Sequence, residues 1–294
     1  MNSCTISNVR IGDRMYKILY NKKISSNSFE MALVAPLVVK KALPGQFVIV
    51  MGHADSERIP LTIYDYDKEQ GILYLIYQVV GASTLELSYI KDELFGVAGP
   101  LGNPNEICAN PEEFKNRRIV YVAGGVGIAP VYPQVKYLHE QGFKVDVIYG
   151  SRNEDLLLIR DKIEKVANKI YYTTDDGSFG TKGFVTNVLE QNINDYDLCV
   201  AIGPVIMMKN VCELTKKYNL QTIVSMNPLM VDGSGMCGAC RCEIDGKPRF
   251  ACIHGPEFDG HKVNFELPLK RMNVYKEEEK IKMEEMQKVL SNGN

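Results

Sequence analysis

Four cysteines near the C-terminal end are spaced for metal chemistry. The stretch from Val231 to Cys242, VDGSGMCGACRC, carries Cys237, Cys240 and Cys242, and Cys252 follows in RFACIHGPEF. Thiolates are soft anionic donors that suit iron–sulfur clusters and zinc. Cys237 and Cys240 have C-x2-C spacing, and Gly233, Gly235 and Gly238 let backbone wrap a metal centre and offer N–H groups to it. Cys252 arrives beyond a hairpin, CEIDGKPRFAC, whose turn is Asp245-Gly246. The residue types alone leave the ligand set open. A cluster, or a structural zinc on Cys237, Cys240, Cys252 and either Cys242 or His254, fits them. An acid, Asp232, stands five residues before Cys237. On a strand leaving the loop, Cys242 is badly placed to curl back beside Cys240. Cys4, Cys108, Cys199 and Cys212 are dispersed and read as ordinary thiols.

A second chemistry lies in glycine-rich turns. VAGGVGIAP, Val122 to Pro130, follows a strand and opens a helix. There Gly124, Gly125 and Gly127 admit a phosphate close to backbone, and the helix N-terminus supplies unpaired N–H groups. The spacing is not G-x-G-x-x-G. Later turns, YGSRNEDLL with Ser151 and Arg152, TTDDGSFG with Asp176, and AIGPVIMMK with Gly203, Pro204 and Met207, fall at strand ends on the same side of a sheet. Arg152 favours a 2′-phosphate, whereas Glu154 and Asp155 oppose one, so the turn does not decide NADH against NADPH. Nearer the N-terminus, RIPLTIYD places Arg58 and Thr62 four apart on an extended segment, facing one way, as a pyrophosphate clamp would need. YQVVGAST, Tyr77 to Thr84, ends a strand in small residues suited to phosphate.

The elements that must position these groups change type along the chain. MYKILY, FEMALVAPLVV, GQFVIVMG, IPLTIYD and GILYLIYQVVG read as short strands, with no strong helix pattern before ASTLELSYI. From about residue 115, strands alternate with helices: RRIVYVAGG, APVYPQVKYLHEQ, KVDVIYG, EDLLLIRDKIEKVAN, KIYYTT, KGFVTNVLEQ, DLCVAIG, VIMMKNVCELTKKY and QTIVSM. That alternation predicts a parallel doubly wound sheet. From about 227 the chain is glycine- and cysteine-rich with little room for regular structure, and needs a metal to hold it. YKEEEKIKMEEMQKVL reads as a charged helix, solvated or touching another subunit. The expected division is a β-barrel domain over 1–112, an α/β domain over 113–226, a metal module over 227–265 and a helical tail over 266–294.

The balance of 34 Lys and Arg against 36 Asp and Glu gives a net charge of −2, which favours neither nucleic acid nor an anionic membrane. No apolar run approaches a membrane span, and the N-terminal residues do not read as a secretory signal, so a cytoplasmic setting is expected. Clustered cysteines there point to a metal or redox centre more than to disulfides.

The order of these motifs resembles that of ferredoxin–NADP reductase-like flavoproteins. Arg58 to Thr62, Pro44-Gly45-Gln46-Phe47, Gly81 to Thr84, Gly99-Pro100-Leu101-Gly102-Asn103, Gly124 to Pro130, and Gly203-Pro204 with Met207-Met208 carry the likeness over roughly residues 5 to 265. The resemblance implies a β-barrel FAD domain and an α/β nicotinamide domain. FAD contacts are implied at Arg58, Pro60, Leu61, Thr62, Tyr77, Gln78, Val79, Gly81, Ser83 and Thr84. NAD(H) contacts are implied at Gly125, Gly127, Pro130, Ser151, Arg152, Asp176, Gly203, Pro204 and Met207. Ile202 stands where many of these reductases have a cysteine, so no side-chain acid or base is assigned to hydride transfer.

The cysteine module is similar to that of dihydroorotate dehydrogenase electron-transfer subunits, which use C-x4-C-x2-C and a distant fourth cysteine. Here Asp232 fills the first position. With RFACIHGPEFDGHKV, this resembles the small subunit of NADH-dependent reduced ferredoxin:NADP⁺ oxidoreductases, a family also known as sulfide dehydrogenase subunits. The resemblance implies a [2Fe–2S] cluster on Asp232, Cys237, Cys240 and Cys252. It also implies a larger partner subunit, similar to glutamate synthase small subunits, with a second FAD and [4Fe–4S] clusters. The assembly would bifurcate electrons among NAD(H), NADP(H) and ferredoxin. The other readings are a dihydroorotate dehydrogenase subunit, a sulfide- or polysulfide-linked reductase, or a scaffold without turnover.

Overall fold

The computed structural model describes residues 15–271 and 274–292. Cys4 and most of the N-terminal stretch lie outside the described residues.

Seven strands form the first sheet: β1 Tyr16–Lys23, β2 Ser28–Val34, β3 Phe47–Met51, β4 Ile59–Asp67, β5 Ile72–Gln78, β6 Glu93–Leu94 and β7 Gly96–Leu101. Their spatial order is β6-β1-β2-β5-β4-β3-β7, antiparallel throughout. The two outermost strands are separated in the chain by Phe95 alone. The sheet therefore curls until its edges meet, which makes a nearly closed barrel. Alternation decides its interior: Met31, Leu33, Val48, Val50, Leu61, Ile63, Leu73, Leu75 and Tyr77 fill it. FEMALVAPLVV is not one strand. Pro36 cannot donate to a ladder and instead opens a one-turn helix, Pro36–Val39.

The second sheet begins with β8 Ile119–Gly124, β9 Val145–Ser151, β10 Lys169–Thr174, β11 Thr181–Lys182, β12 Leu198–Ile202 and β13 Gln221–Ser225. All six pair in parallel, in the order β11-β10-β9-β8-β12-β13. The order reverses between β8 and β12, so the switch point faces Gly124 and Gly203. Helices Ile128–Glu140, Val185–Asn192 and Val205–Lys217 cover the faces. The long helix expected in EDLLLIRDKIEKVAN is shorter. Asn153 caps a single turn at Glu154–Leu156, Ile159 sits at φ +50°, and the helix is Arg160–Ile163. A β-branched residue in the left-handed region ends any continuous helix there.

The C-terminal module has more regular structure than its composition suggests. β14 Arg241–Ile244 and β15 Lys247–Phe250 form the hairpin, with Asp245 and Gly246 at φ +53° and +69°. Both signs match the hairpin turn that Asp-Gly favours. A one-turn helix, Ala251–His254, carries Cys252, and β16 Glu257–Asp259 then runs antiparallel to β13. The cysteine module thus supplies the edge strand of the nicotinamide-type sheet. One continuous core joins Phe47 and Ile49 of the barrel, Val122 and Met208 of the α/β part, and Cys240 and Cys252 of the module. The charged helix Lys276–Asn292 lies along the short helix Ala82–Tyr89.

Candidate functional site

The turn after β8 sits at the switch point, and two of its glycines are required by different contacts. At Gly127 an added Cβ would strike the Ile202 carbonyl oxygen and come within 2.9 Å of the Gly203 Cα. This close approach locks the turn to the end of β12. Gly125 is different: its φ is +54°, and nothing lies within 4 Å of where a Cβ would stand. It borders open space at the N-terminal end of helix Ile128–Glu140, the cradle that a pyrophosphate would fill. Met207 and Pro204 pack over Gly124. Pro130 occupies the first turn of the helix, where a missing N–H costs nothing.

Ser151, Arg152 and Asp176 come together at the ends of β9 and β10. The Asp175 and Asp176 amides donate to the Ser151 and Arg152 carbonyls at 3.1 and 3.3 Å. Asp176 accepts from the Ser178 amide and hydroxyl, at 2.9 and 2.6 Å, which hold its carboxyl below the usual carboxylate range. The acids beside Arg152 are turned away: Glu154 pairs with Arg160 at 3.1 Å, and Asp155 accepts from the Ser26 amide at 3.0 Å.

The barrel side presents β4 with its faces divided. Pro60 and Thr62 are half-buried, opposite Ile49 and Phe47 of β3. Arg58 is exposed just before the strand. Two residues assigned to the cofactor by resemblance turn their side chains elsewhere. Leu61 lies in the barrel interior. So does Tyr77, whose ring stacks on Phe29 at 5.7 Å and whose hydroxyl donates to Asn21 at 2.9 Å. Only their backbone is left for a ligand, because period-two alternation along β4 and β5 turns these side chains inward. Gln78 and Val79 are half-buried at the strand end. Gly81 caps helix Ala82–Tyr89 and has open space where a Cβ would be. Thr84 is already committed, since its hydroxyl accepts from the Val80 and Gly81 amides at 3.0 and 3.1 Å. The Ser83 hydroxyl donates to Glu57, whose carboxylate also meets Lys282 of the C-terminal helix at 3.4 Å.

In the cysteine loop the donors fall into two pairs. Asp232 accepts from the Ser234 amide at 2.8 Å and the Cys237 amide at 3.0 Å. The Ser234 amide, ahead of Cys237, holds its carboxyl below the usual range, so the donor is anionic. Cys237 is exposed. Cys240 and Cys252 are both 2% exposed, with their sulfurs 3.2 Å apart. That separation is far beyond the ~2.05 Å of a disulfide. Burial pushes the Cys252 thiol up to about 12, with Cys240 adding to it. Two buried thiols in contact, beside an anionic carboxylate bonded to a third cysteine's amide, suit a two-iron cluster. Among the described residues no three His, Cys, Asp or Glu side chains converge on a single ion. His254 is engaged as acceptor from the Phe250 amide at 3.0 Å, and Cys242 is buried with its sulfur 3.8 Å from the Cys240 carbonyl oxygen. Neither geometry favours zinc. Cys108, Cys199 and Cys212 are buried thiols away from this loop.

Sequence reasoning missed how the loop meets the barrel. A Cβ on Gly233 would lie 2.6 Å from the Leu101 Cδ1 and 2.9 Å from the Ile49 Cδ1. Ile49 is the cross-strand neighbour of Pro60. The cysteine loop therefore rests on the same barrel face as the Arg58–Thr62 segment. It was also silent on Asn105, Gln134 and Glu257, which join the parts beneath the site.

An antiparallel barrel, a parallel sheet with an open glycine turn at its switch point, and a cysteine loop between them define a nicotinamide-linked flavin reductase with an iron–sulfur module. Residues 121–213 match the oxidoreductase NAD-binding domain family, and residues 227–264 match the iron-sulfur cluster binding domain of dihydroorotate dehydrogenase B. A Thermotoga maritima protein described as a dihydroorotate dehydrogenase B (NAD(+)) electron transfer subunit homolog is 42% identical over 93% of this chain and 96% of its own. The chain belongs to this family of electron-transfer subunits. An uncharacterized protein from the adh 3′ region of Clostridium beijerinckii is 49% identical over 90% of this chain and 92% of its own. A solved structure of NADH-dependent reduced ferredoxin-NADP oxidoreductase, determined for insight into flavin-based electron bifurcation, superposes with a TM-score of 0.85. It has 40% identity over 95% of this chain and 100% of that one. The chain is thus an electron-transfer subunit of a redox enzyme, with an NAD-binding domain and an iron–sulfur cluster binding domain. No described helix is long and apolar enough to cross a membrane.

Proposed function

We propose that this chain is the small subunit of a cytoplasmic, electron-bifurcating NADH-dependent ferredoxin:NADP⁺ oxidoreductase. Its partner would be a larger flavin and [4Fe–4S] subunit similar to glutamate synthase small subunits. The observation that carries the reading is the seating of Gly233 on Ile49 and Leu101. It supports a cluster loop beside the strand assigned to the flavin, as a relay between the two requires.

FAD held by this chain would supply the chemistry that links two-electron hydride transfer from NADH to one-electron transfer to the cluster. The residues of this chain bind and orient. Gly125 and the N-terminus of helix Ile128–Glu140 take the NADH pyrophosphate, while Ser151, Arg152 and Asp176 border its adenosine end. Gly203, Pro204 and Met207 wall the nicotinamide side of the switch point. Arg58 and Thr62 hold the flavin pyrophosphate against Gly81. For Ser83 to join them, Glu57 must turn from Ser83 toward Lys282. Asp232, Cys237, Cys240 and Cys252 would together hold the cluster. The rigid Cys240–Cys252 pair is enclosed in the core, whereas exposed Cys237 faces the side open to a partner.

The test is anaerobic co-purification with the neighbouring subunit, followed by flavin and iron counts and separate reductions with NADH and NADPH. Bleaching of flavin and cluster by NADH, with ferredoxin reduction only in the complex, is the expected result. A colourless protein, or one whose cluster NADH never reduces, refutes the reading. A dihydroorotate dehydrogenase partner would instead co-purify with orotate-forming activity.

A further inference from the structure

Glu257 is half-buried, and its carboxyl is bonded to amides with no cation paired to it among the described residues. The residue borders a cleft of about 390 Å³, also lined by Asn103, Glu106, His254 and Asp259, and its carboxyl turns toward two fully buried side chains. Its two partners are neutral amides. Asn105 Nδ2 donates to one oxygen at 2.7 Å, and Gln134 Nε2 donates to the other at 2.8 Å. Both amide residues are 0% exposed. Each partner belongs to a different part of the molecule. Asn105 follows the barrel, caps the turn Glu106–Ala109 through the Cys108 amide at 2.8 Å, and donates its own amide to Pro44 at 2.8 Å. Gln134 lies on the helix that begins at the nicotinamide turn. Glu257 itself lies on β16, five residues beyond Cys252.

We propose that Glu257 is the positioning residue that fixes the iron–sulfur module against both the barrel and the nicotinamide domain, through Asn105 on one side and Gln134 on the other. Burying an ionised carboxylate between neutral amides carries a desolvation penalty that two hydrogen bonds only partly offset. Desolvation accordingly raises the Glu257 carboxyl to about 7, with nearby Glu106 adding to it and the two amides opposing it. The remaining titratable groups facing it are Cys108 and Tyr121, both neutral, with His254 and Asp259 across the cleft. A spare acceptor is present for a proton on the carboxyl. The Gln134 Oε1 is buried without a partner among the described residues, and turning over the Gln134 amide presents its Oε1 to the carboxyl. As pH rises through about 7, ionisation places an uncompensated charge at the junction of all three parts.

The sign follows from linkage. The carboxyl is raised from 4.5 to about 7 on folding, so its favourable contribution is complete below 4.5 and is lost as pH rises to about 7. The test compares wild type, Glu257→Gln and Glu257→Ala as cluster-loaded protein. It reads Tm against pH, hydrogen exchange over residues 253–259, and the rate at which NADH reduces the cluster across the same pH range. The kinetic arm rests on the electron-relay reading, and the thermal arm stands without it. In wild type, Tm and the relay rate fall together across this range. Glu257→Gln, which mimics the neutral acid, stays on the acid-side plateau in both. Glu257→Ala exchanges faster at 253–259 and relays several-fold more slowly at every pH. A Gln variant that keeps the wild-type pH dependence, or an Ala variant with unchanged exchange, overturns the inference. Wild-type protein whose cluster NADH never reduces overturns the relay reading instead.

Discussion

Substituting Gly125 and Gly127 separately distinguishes a cofactor cradle from a packing constraint. Gly125→Ala meets no neighbour, so its structural cost is the left-handed backbone alone, about 1–2 kcal/mol. At roughly 2–4 °C per kcal/mol for a domain of this size class, Tm falls by about 2–8 °C. The same methyl group enters the space assigned to the pyrophosphate. A loss of one 1.4 kcal/mol increment is already tenfold in affinity, and NADH affinity is expected to fall further than that. Gly127→Ala has an ordinary backbone, with φ −60°, but its Cβ collides with the Ile202 carbonyl and sits 2.9 Å from the Gly203 Cα. Backbone must move, at about 1–3 kcal/mol or more for overpacking, and Gly203-Pro204 moves with it. Gly127→Ala therefore loses stability and affinity together, whereas Gly125→Ala loses mostly affinity. Thermal melts, with NADH titrations followed by anaerobic flavin bleaching, separate the two. A Gly125→Ala protein that binds NADH as tightly as wild type would show that the turn is not the cradle, and the assignment of the whole switch point would fail.

Other substitutions probe the cluster and the flavin side. Asp232→Cys should keep a [2Fe–2S] absorption spectrum with an altered potential, whereas Asp232→Ala should lose or degrade it; an Ala variant with spectrum and potential untouched rules Asp232 out as a ligand. Cys242→Ala should retain iron and Cys252→Ala should not, which iron counts on anaerobically purified protein decide. Lys282→Ala frees Glu57 to stay on Ser83, and because the ion pair is exposed on both sides the effect on flavin retention should be small, about 0–1 kcal/mol. A large loss of flavin would mean that the C-terminal helix does more than neutralise Glu57.

Local chemistry made much of this molecule legible. The alternation of strands and helices after residue 115, the Asp245-Gly246 hairpin and the glycines before helix Ile128–Glu140 are short-range signals, and the structure carries all of them. The inward turn of the Tyr77 side chain is a property of its strand that the motif does not display. Period two along β5 groups it with Leu73 and Leu75 inside the barrel, leaving Ile76 and Gln78 on the other face. Arg160–Ile163 stops short because the apolar residues that suggested a helix, Leu157 and Leu158, are instead buried in an irregular turn beneath the domain. β16 was invisible for another reason. Three residues cannot display a period, and only their partner strand makes them a strand. Glu257 gave no signal because a lone carboxyl is recognised as buried only when elements distant in sequence close over it.

That borrowed edge strand bears on how the protein matures. Until the cysteine loop closes on iron, β16 relies on its own contacts, chiefly Glu257 with Asn105 and Gln134, and wherever it frays β13 presents an unpaired row of backbone groups. A newly made chain that has not received its cluster would then lack more than an electron carrier. It would display an open sheet edge, the kind of surface that chaperones retain and proteases attack. Iron supply would in this way set the abundance of the subunit as well as its competence, and chains starved of iron would be removed before they could occupy a place beside the partner.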